Sequence, residues 1–184
     1  EKEFQRLREK HQKLSQSTSA GMFRGGLLDS SQETTRLHTA THLLHAALRK
    51  VLRARVEQRG SQITNERLRF DFSYPRKLTK EEIKQVEDLV NKQIEKNLAV
   101  SFEVKSFSQA LKEGALVLPG RRYNEKVKVY TIGNPEVGWF SKEVCRGPHV
   151  RQLAEIGRVR IIKEKAVALG IRRIYGRVLL GTIN

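Results

Sequence analysis

Residues 67–72 alternate strictly between charged and apolar side chains, and this pattern constrains the fold more than any other feature of the sequence. Leu68, Phe70 and Phe72 would share one face of a strand, while the intervening charged residues would share the other. A strand that is apolar on one side must cover that side with a second layer. The pattern therefore predicts a half-buried strand in a layered fold.

Two capping patterns predict the helices of such a layer. The spacing of a capping box is found twice, at Ser30 with Glu33 and at Thr79 with Glu82. Apolar residues at helical spacing follow each pair. We expect one long helix over residues 31–54 and a second that ends near residue 97.

Four further segments are apolar or alternating, and Gly, Pro and Asn residues separate them. They are Val100–Val104, Val127–Ile132, Val159–Ile162 and Ile174–Leu180. Because turns join most of these strands, the sequence predicts an α+β fold, with a mainly antiparallel sheet packed with two long helices. We expect residues 1–28 to form a short helix and a Gly-rich linker, and residues 29–184 to form the main domain.

The charge of the chain points to an anionic partner. It has 36 Lys and Arg residues against 20 Asp and Glu residues, a net charge of +16. This charge favours a nucleic acid, bound by phosphate neutralisation, although a merely soluble basic surface would also explain it. The basic residues are not confined to one amphipathic helix, and no apolar run reaches the roughly 20 residues of a spanning helix, so we expect no membrane partner.

The ends and the cysteine content suggest the setting of the chain. It begins EKEF, without an initiator Met or the apolar core of a signal peptide, so we expect a piece of a longer protein that is not secreted. Cys145 is the sole cysteine, which excludes an internal disulfide and fits a reducing, cytoplasmic compartment. Its thiol could be core filler, a nucleophile or a metal ligand.

Histidines cluster at helical spacing in the first predicted helix. His38 and His42 are four residues apart, so they would lie one turn apart on the same face and could hold one metal ion. The spacing does not exclude His45 as a ligand. Taken alone, such a pair is more often two histidines on a helix surface than a metal site.

A second cluster lies far along the chain, where Cys145 and His149 are also four residues apart. Gly147 and Pro148 argue against a helix there, but a turn could bring the thiolate and the imidazole to one ion. Together, the two clusters supply three nitrogens and one sulfur, a ligand set that suits tetrahedral zinc.

Six segments carry a resemblance to a known family. They are MFRGGLLD, LHTATHLLHAALRKVL, QRGS, RLRFDF, CRGPHV and GIRRI. In this order and spacing they resemble the editing domain of alanyl-tRNA synthetase over the whole chain. The free-standing editing homologues and the threonyl-tRNA synthetase editing domain are similar in their HxxxH and CxxxH core.

The resemblance implies zinc held by His38, His42, Cys145 and His149, with His45 as a neighbour. It also implies an aminoacyl-tRNA hydrolase that removes serine, and glycine as well, from the alanine tRNA. This hydrolase would be part of a longer synthetase that has its own aminoacylation domain. Three alternatives stay open: a free-standing editing protein that acts in trans, a catalytically inactive RNA-binding module kept folded by zinc, and a structural piece of a larger assembly.

Ester hydrolysis needs an oriented water and stabilisation of the oxyanion, and selection of serine needs a group that recognises a hydroxyl. For these roles we expect Thr41 to recognise serine. We expect Gln58 and Ser61 to lie near the reacting ester. Thr41 could instead be a packed helix residue, and Gln58 and Ser61 solvated turn residues.

Other polar residues carry alternative interpretations. Asp71 and Arg69 could orient water or tRNA, or form a surface ion pair, which we favour slightly. Arg172 and Arg173 match the GIRRI segment and could contact the substrate or the terminal adenosine and phosphates, with one of them structural. The backbone at Gly25 and Gly26 could approach the substrate closely.

Two positions depart from the family pattern. The family commonly has glycine at the position of Arg146, so we expect a strained backbone or a changed loop there. Residues 118–122 are more basic and less aromatic than in the family, which predicts a larger RNA surface or a reshaped pocket.

Overall fold

The computed structural model describes Leu27 and residues 29–179. These residues form three α-helices and seven strands. The helices are α1 (Gln32–Leu52), α2 (Lys80–Glu95) and α3 (Phe107–Lys112). The strands are β1 (Gln58–Ile63), β2 (Leu68–Ser73), β3 (Val100–Ser106), β4 (Lys126–Asn134), β5 (Gly138–Val144), β6 (Arg158–Ala168) and β7 (Ile171–Leu179). A short 3-10 helix spans Leu153–Ile156.

The strands form two antiparallel sheets, which confirms the predicted α+β fold. The larger sheet has the order β1-β2-β7-β6, and the smaller sheet has the order β3-β4-β5. Helix α1 packs against α2, against strand β5 of the smaller sheet and against three strands of the larger one. A helix at the meeting point of two sheets can present side chains to both, so α1 is the element that positions the site.

The alternation in β2 predicted its burial correctly. Leu68, Phe70 and Phe72 are fully buried and belong to the main hydrophobic core. Full burial of an aliphatic or aromatic side chain of this size contributes roughly 1.5–3 kcal/mol to stability. These three residues therefore anchor the larger sheet to the helical layer.

The first capping prediction was wrong by one residue, whereas the second is confirmed. The N-cap of α1 is Ser31, not Ser30; its Oγ accepts from the Thr34 backbone N–H at 3.3 Å, and Asp29 accepts in turn from Ser31. At α2, both bonds of the Thr79–Glu82 capping box are present.

One α-helix and two strands were not predicted, and strand β6 is much longer than expected. Helix α3 and strands β1 and β5 were missed, and β6 extends to Ala168 rather than ending at Ile162. The extension of β6 is charged and mostly exposed on both faces, so it lacks the alternation that reveals a half-buried strand. Gly25, Gly26, the predicted N-terminal helix and most of the predicted linker lie outside the described residues. No described helix is long and apolar enough to cross a membrane.

Candidate metal centre and pocket

The structure brings together the two clusters that the sequence separates by more than a hundred residues. Helix α1 supplies His38 and His42, and the loop after β5 supplies Cys145 and His149. One nitrogen or sulfur atom from each lies within 4.8 Å of the others. A tetrahedral zinc ion would need separations of roughly 3.4–3.6 Å between its ligands. A modest contraction of the cluster would therefore complete a coordination sphere.

The proton positions of His38 follow from its neighbours. Its Nδ1 lies 2.8 Å from the carbonyl oxygen of Pro148, which can only accept, so Nδ1 must carry the proton. The lone pair is then on Nε2, which lies 3.4 Å from the Cys145 sulfur. This is the tautomer and orientation that a metal ligand requires.

A threonine orients His149 in the same way. The Thr39 hydroxyl donates to the Thr35 carbonyl at 3.1 Å and accepts from the Val150 N–H at 3.1 Å, so it can also accept from Nδ1 of His149, 3.1 Å away. Nε2 of His149 is buried and has no hydrogen-bond partner among the described residues. A buried lone pair left without a partner is unfavourable, and a metal ion would satisfy it.

The protonation of the cluster also fits a cation. Burial raises the pKa of the Cys145 thiol, but the nearby imidazoles of His149, His38 and His42 hold it well below its ordinary value. Burial and the charge of His42 lower the pKa of His149 to about 3. The Cys145 thiolate and the neutral His149 imidazole are forms that bind metals, whereas His42, whose pKa is raised to about 9, would release its proton to a bound ion. The four residues are therefore able to bind a metal ion.

A buried carboxylate balances the charge beside the cluster. Glu143 accepts from Ser141 and lies 3.1 Å from Nδ1 of His45, whose Nε2 lies 3.1 Å from the Val56 carbonyl. Burial lowers the pKa of His42, but Glu143 and Cys145 outweigh burial and raise it to about 9. Both nitrogens of His45 are engaged, so this histidine is outside the metal-binding group.

The cluster opens into a pocket of about 450 Å³. Thr41, Gln58 and Ser61 line this pocket together with Cys145. Gln58 and Ser61 belong to β1, so they are strand residues rather than the turn residues considered above. The Thr41 hydroxyl donates to the Leu37 carbonyl at 2.8 Å and keeps its lone pairs for another donor.

Five cations also line the pocket. They are Arg121, Arg122, Lys126, Lys128 and Arg146. Two of them belong to the 118–122 segment, which therefore helps to shape the pocket. Arg146 is exposed, and it is not among the described non-glycine residues with positive φ, which are Arg53 and Asn97. The prediction of a strained backbone at Arg146 was wrong, because the positive φ that favours glycine occurs at the next residue, Gly147.

Four other predicted residues lie away from the pocket. Asp71 accepts two bonds from Arg173, at 2.6 and 2.7 Å, on the face of the larger sheet opposite the core, with Arg69 at 3.9 Å. Arg172 points to the other face of β7 and donates to Glu164 at 2.5 Å. The principal partner of Asp71 is thus Arg173 rather than Arg69. None of these four side chains lines the pocket.

Sequence reasoning missed the residues that support the cluster. Thr39, Tyr130 and Glu143 contact its histidines or their neighbours. Glu143 lies in β5, which was not predicted, so nothing indicated that its side chain would face inward. The position of Thr39, one residue after His38, was a possible signal, because metal-bound histidines commonly use their second nitrogen for a hydrogen bond.

Gly147 provides a test of how tightly the ligand loop is packed. It has φ +69°, and a Cβ added there would lie 2.4 Å from the Tyr130 hydroxyl. We expect Gly147→Ala to lower the free energy of unfolding by about 3 kcal/mol, since the strain of positive φ and the overlap add together. Denaturant unfolding measures this loss. Gly120→Ala is the matched control, with φ +73° and nothing within 4 Å; an equal loss in both variants would contradict the packing.

Fold and site together define an α+β domain with a cluster that is able to bind a metal ion and that borders a basic pocket. Residues 127–175 match the family model described as threonyl and alanyl tRNA synthetase second additional domain. The chain is 51% identical over 172 residues to an alanine–tRNA ligase of Treponema denticola, covering 94% of this chain and 28% of that protein. It is 50% identical over 171 residues to that of Borrelia hermsii, covering 93% and 28%. The chain thus spans less than a third of these relatives, and it belongs to the threonyl and alanyl tRNA synthetase second additional domain family.

Proposed function

We propose that this domain hydrolyses alanine tRNA mischarged with serine, and with glycine, with zinc in the metal-binding cluster, as the editing part of an alanyl-tRNA synthetase in the cytoplasm. The observation that carries the proposal is one pocket that joins three of the four potential zinc ligands, His38, His42 and Cys145, to the side chains of Thr41, Gln58 and Ser61. A metal-stabilised fold alone would not require hydroxyl and amide groups beside the metal.

Thr41 would select serine. Its proton is held by the Leu37 carbonyl, so its oxygen can accept a hydrogen bond from the substrate hydroxyl. Alanine would leave this buried acceptor without a partner, and such a loss discriminates far better than size. Glycine also lacks the hydroxyl, so its removal would depend on another contact.

Gln58 and Ser61 would act on the ester. Water attacks the acyl carbon, the bond to the ribose oxygen breaks, and that oxygen takes up a proton. The amide of Gln58 can donate to the developing oxyanion, and the hydroxyl of Ser61 can orient the water. Zinc, which His38, His42, Cys145 and His149 would hold, would supply positive charge that fixes the site and orients the substrate.

The rim of the pocket would receive the tRNA. Five cations line the pocket, whereas its carboxylate, Glu143, is buried and engaged by His45. This distribution favours the phosphates at the acceptor end of a tRNA. The same cations would also serve an inactive RNA-binding module, so binding alone does not distinguish the two functions.

The decay of seryl-tRNA and alanyl-tRNA, both on the alanine acceptor, tests the proposal. We expect the zinc-loaded chain to accelerate the loss of serine, to spare alanine, and to lose this activity after chelation. Unchanged decay of both esters with tight tRNA binding would favour the inactive module. Arg146→Gly would then show whether the departure at this residue is responsible.

A further inference from the structure

The outer face of the larger sheet, which points away from the core, is strongly basic. Strand register and the contacts of Tyr175 place eight cations on it: Arg67, Arg69, Arg158, Arg160, Lys163, Lys165, Arg173 and Arg177. Of these, Arg160 lies 3.7 Å from Glu87 of α2. Among the described residues of the sheet, the register places one carboxylate there, that of Asp71. In the contact pattern of the described elements, the helices pack against the larger sheet from its core side.

Most of this charge is not compensated. Asp71 is engaged by Arg173 and approached by Arg69. Within the described part of the chain, Lys163, Lys165 and Arg177 form no ion pair, and all three are exposed. On a sheet, side chains of one face are separated by about 5 Å across strands and about 7 Å along them, so these cations repel one another. An anionic partner would relieve the repulsion.

The pKa of Tyr175 reflects the positive potential of this face. Burial raises the pKa of its hydroxyl, but the hydrogen bond with Arg173 and the charges of Arg173, Lys165 and Arg69 lower it overall. Arg67 lies 5.4 Å from the centre of the Tyr175 ring, and Lys165 lies 6.0 Å from it. The two cations crowd the ring, which leaves it poorly suited to stack on a nucleobase. The chemistry of the face therefore favours phosphates over bases.

Strand β1 separates this face from the pocket. Gln58 and Ser61 line the pocket, whereas Gly60 and Gln62 pair with residues of the outer face. Strand β1 ends the strand order, so the two surfaces lie on opposite sides of a terminal strand. A single-stranded end held in the pocket could continue around this strand into a duplex on the basic face.

We propose that the outer face of the larger sheet is a docking surface for the phosphate backbone of a double-stranded RNA arm. Arginine forks and lysine ammonium groups on a rigid sheet suit a regular row of phosphates. The identity of this RNA as the tRNA whose end enters the pocket rests on the proposed function. The docking surface itself does not.

Charge-removing variants of the full 184-residue chain test this surface. We expect Lys163→Gln/Lys165→Gln/Arg177→Gln to bind uncharged alanine tRNA at least about tenfold more weakly near physiological salt. The dependence of log affinity on log salt should become less steep by about two to three. Lys80→Gln/Lys92→Gln/Lys96→Gln, which removes the same charge at α2, should change affinity by less than about twofold. Equal losses in the two variants would overturn the proposal.

Two further probes identify the ligand. An RNA hairpin of the acceptor arm without its single-stranded 3′ end should show the same loss with the first variant, because the duplex is the ligand. A loss confined to anionic phosphatidylserine vesicles, with RNA binding unchanged, would overturn the proposal in favour of a membrane. If the chain did not hydrolyse seryl-tRNA but the first variant still lost RNA affinity selectively, the proposed function would be rejected and the docking surface would be retained.

Discussion

Cys145→Ala should remove zinc from the domain and abolish hydrolysis of seryl-tRNA. Its sulfur is the single thiolate of the cluster, and His149, His38 and His42 hold its pKa low, so alanine removes the anionic ligand. Outer contacts of a metal site are typically worth 10–100-fold in affinity, and we expect the loss of a direct ligand to exceed about a hundredfold. Competition with a chromophoric chelator measures the affinity, and elemental analysis measures the metal content.

The neighbouring residue supplies the control for this variant. Arg146 lies in the same loop and the same pocket, but its side chain is exposed and outside the metal-binding group. Arg146→Ala should retain about one zinc ion per chain. If Cys145→Ala also retained zinc with unchanged affinity, the proposed ligand set would be wrong.

Gln58→Ala should separate catalysis from metal binding. The side chain lines the pocket but is not part of the metal-binding group, so zinc content should be unchanged. Loss of one donor to the oxyanion costs about 10²–10³-fold in turnover, and we expect a loss of this size in single-turnover decay of seryl-tRNA.

Gln62→Ala is the matched control, because it makes the same substitution on the other face of the same strand. It should keep both zinc and turnover. Full activity in Gln58→Ala would show that this side chain has no part in the chemistry. A loss of zinc in Gln58→Ala would instead assign it a structural role.

Local patterns predicted the elements that bury one face. The alternation of residues 67–72 and the capping box at Thr79 identified β2 and the start of α2, because sheet and helix periods leave a direct trace in the sequence. Strand β1, with the sequence QRGSQI, has little apolar alternation, so it could not be recognised. Its pairing with β2 is a tertiary contact that overrides weak local preference.

The histidine and cysteine spacings predicted the cluster, but not the network around it. The four potential ligands were named because each pair has a spacing that suits one ion. Charge pairing was harder to predict: the alternation placed Asp71 beside Arg69, whereas the register of β2 with β7 places it opposite Arg173. Partners across strands depend on register, which a single sequence does not encode locally.

The two halves of the metal-binding cluster are separated by 107 residues between His38 and Cys145. The chain between them forms the smaller sheet, α2, α3 and two of the four strands of the larger sheet, β1 and β2. A metal ion bound by both halves would close this long loop and restrict the unfolded chain, an entropic effect that grows slowly with loop length. Occupancy would then depend on the tertiary structure of the chain from His38 to His149, because no local fragment contains both halves. A chain in which the β-structure between the two halves had not folded could not assemble the site. Binding of the ion would therefore indicate that this part of the chain had folded.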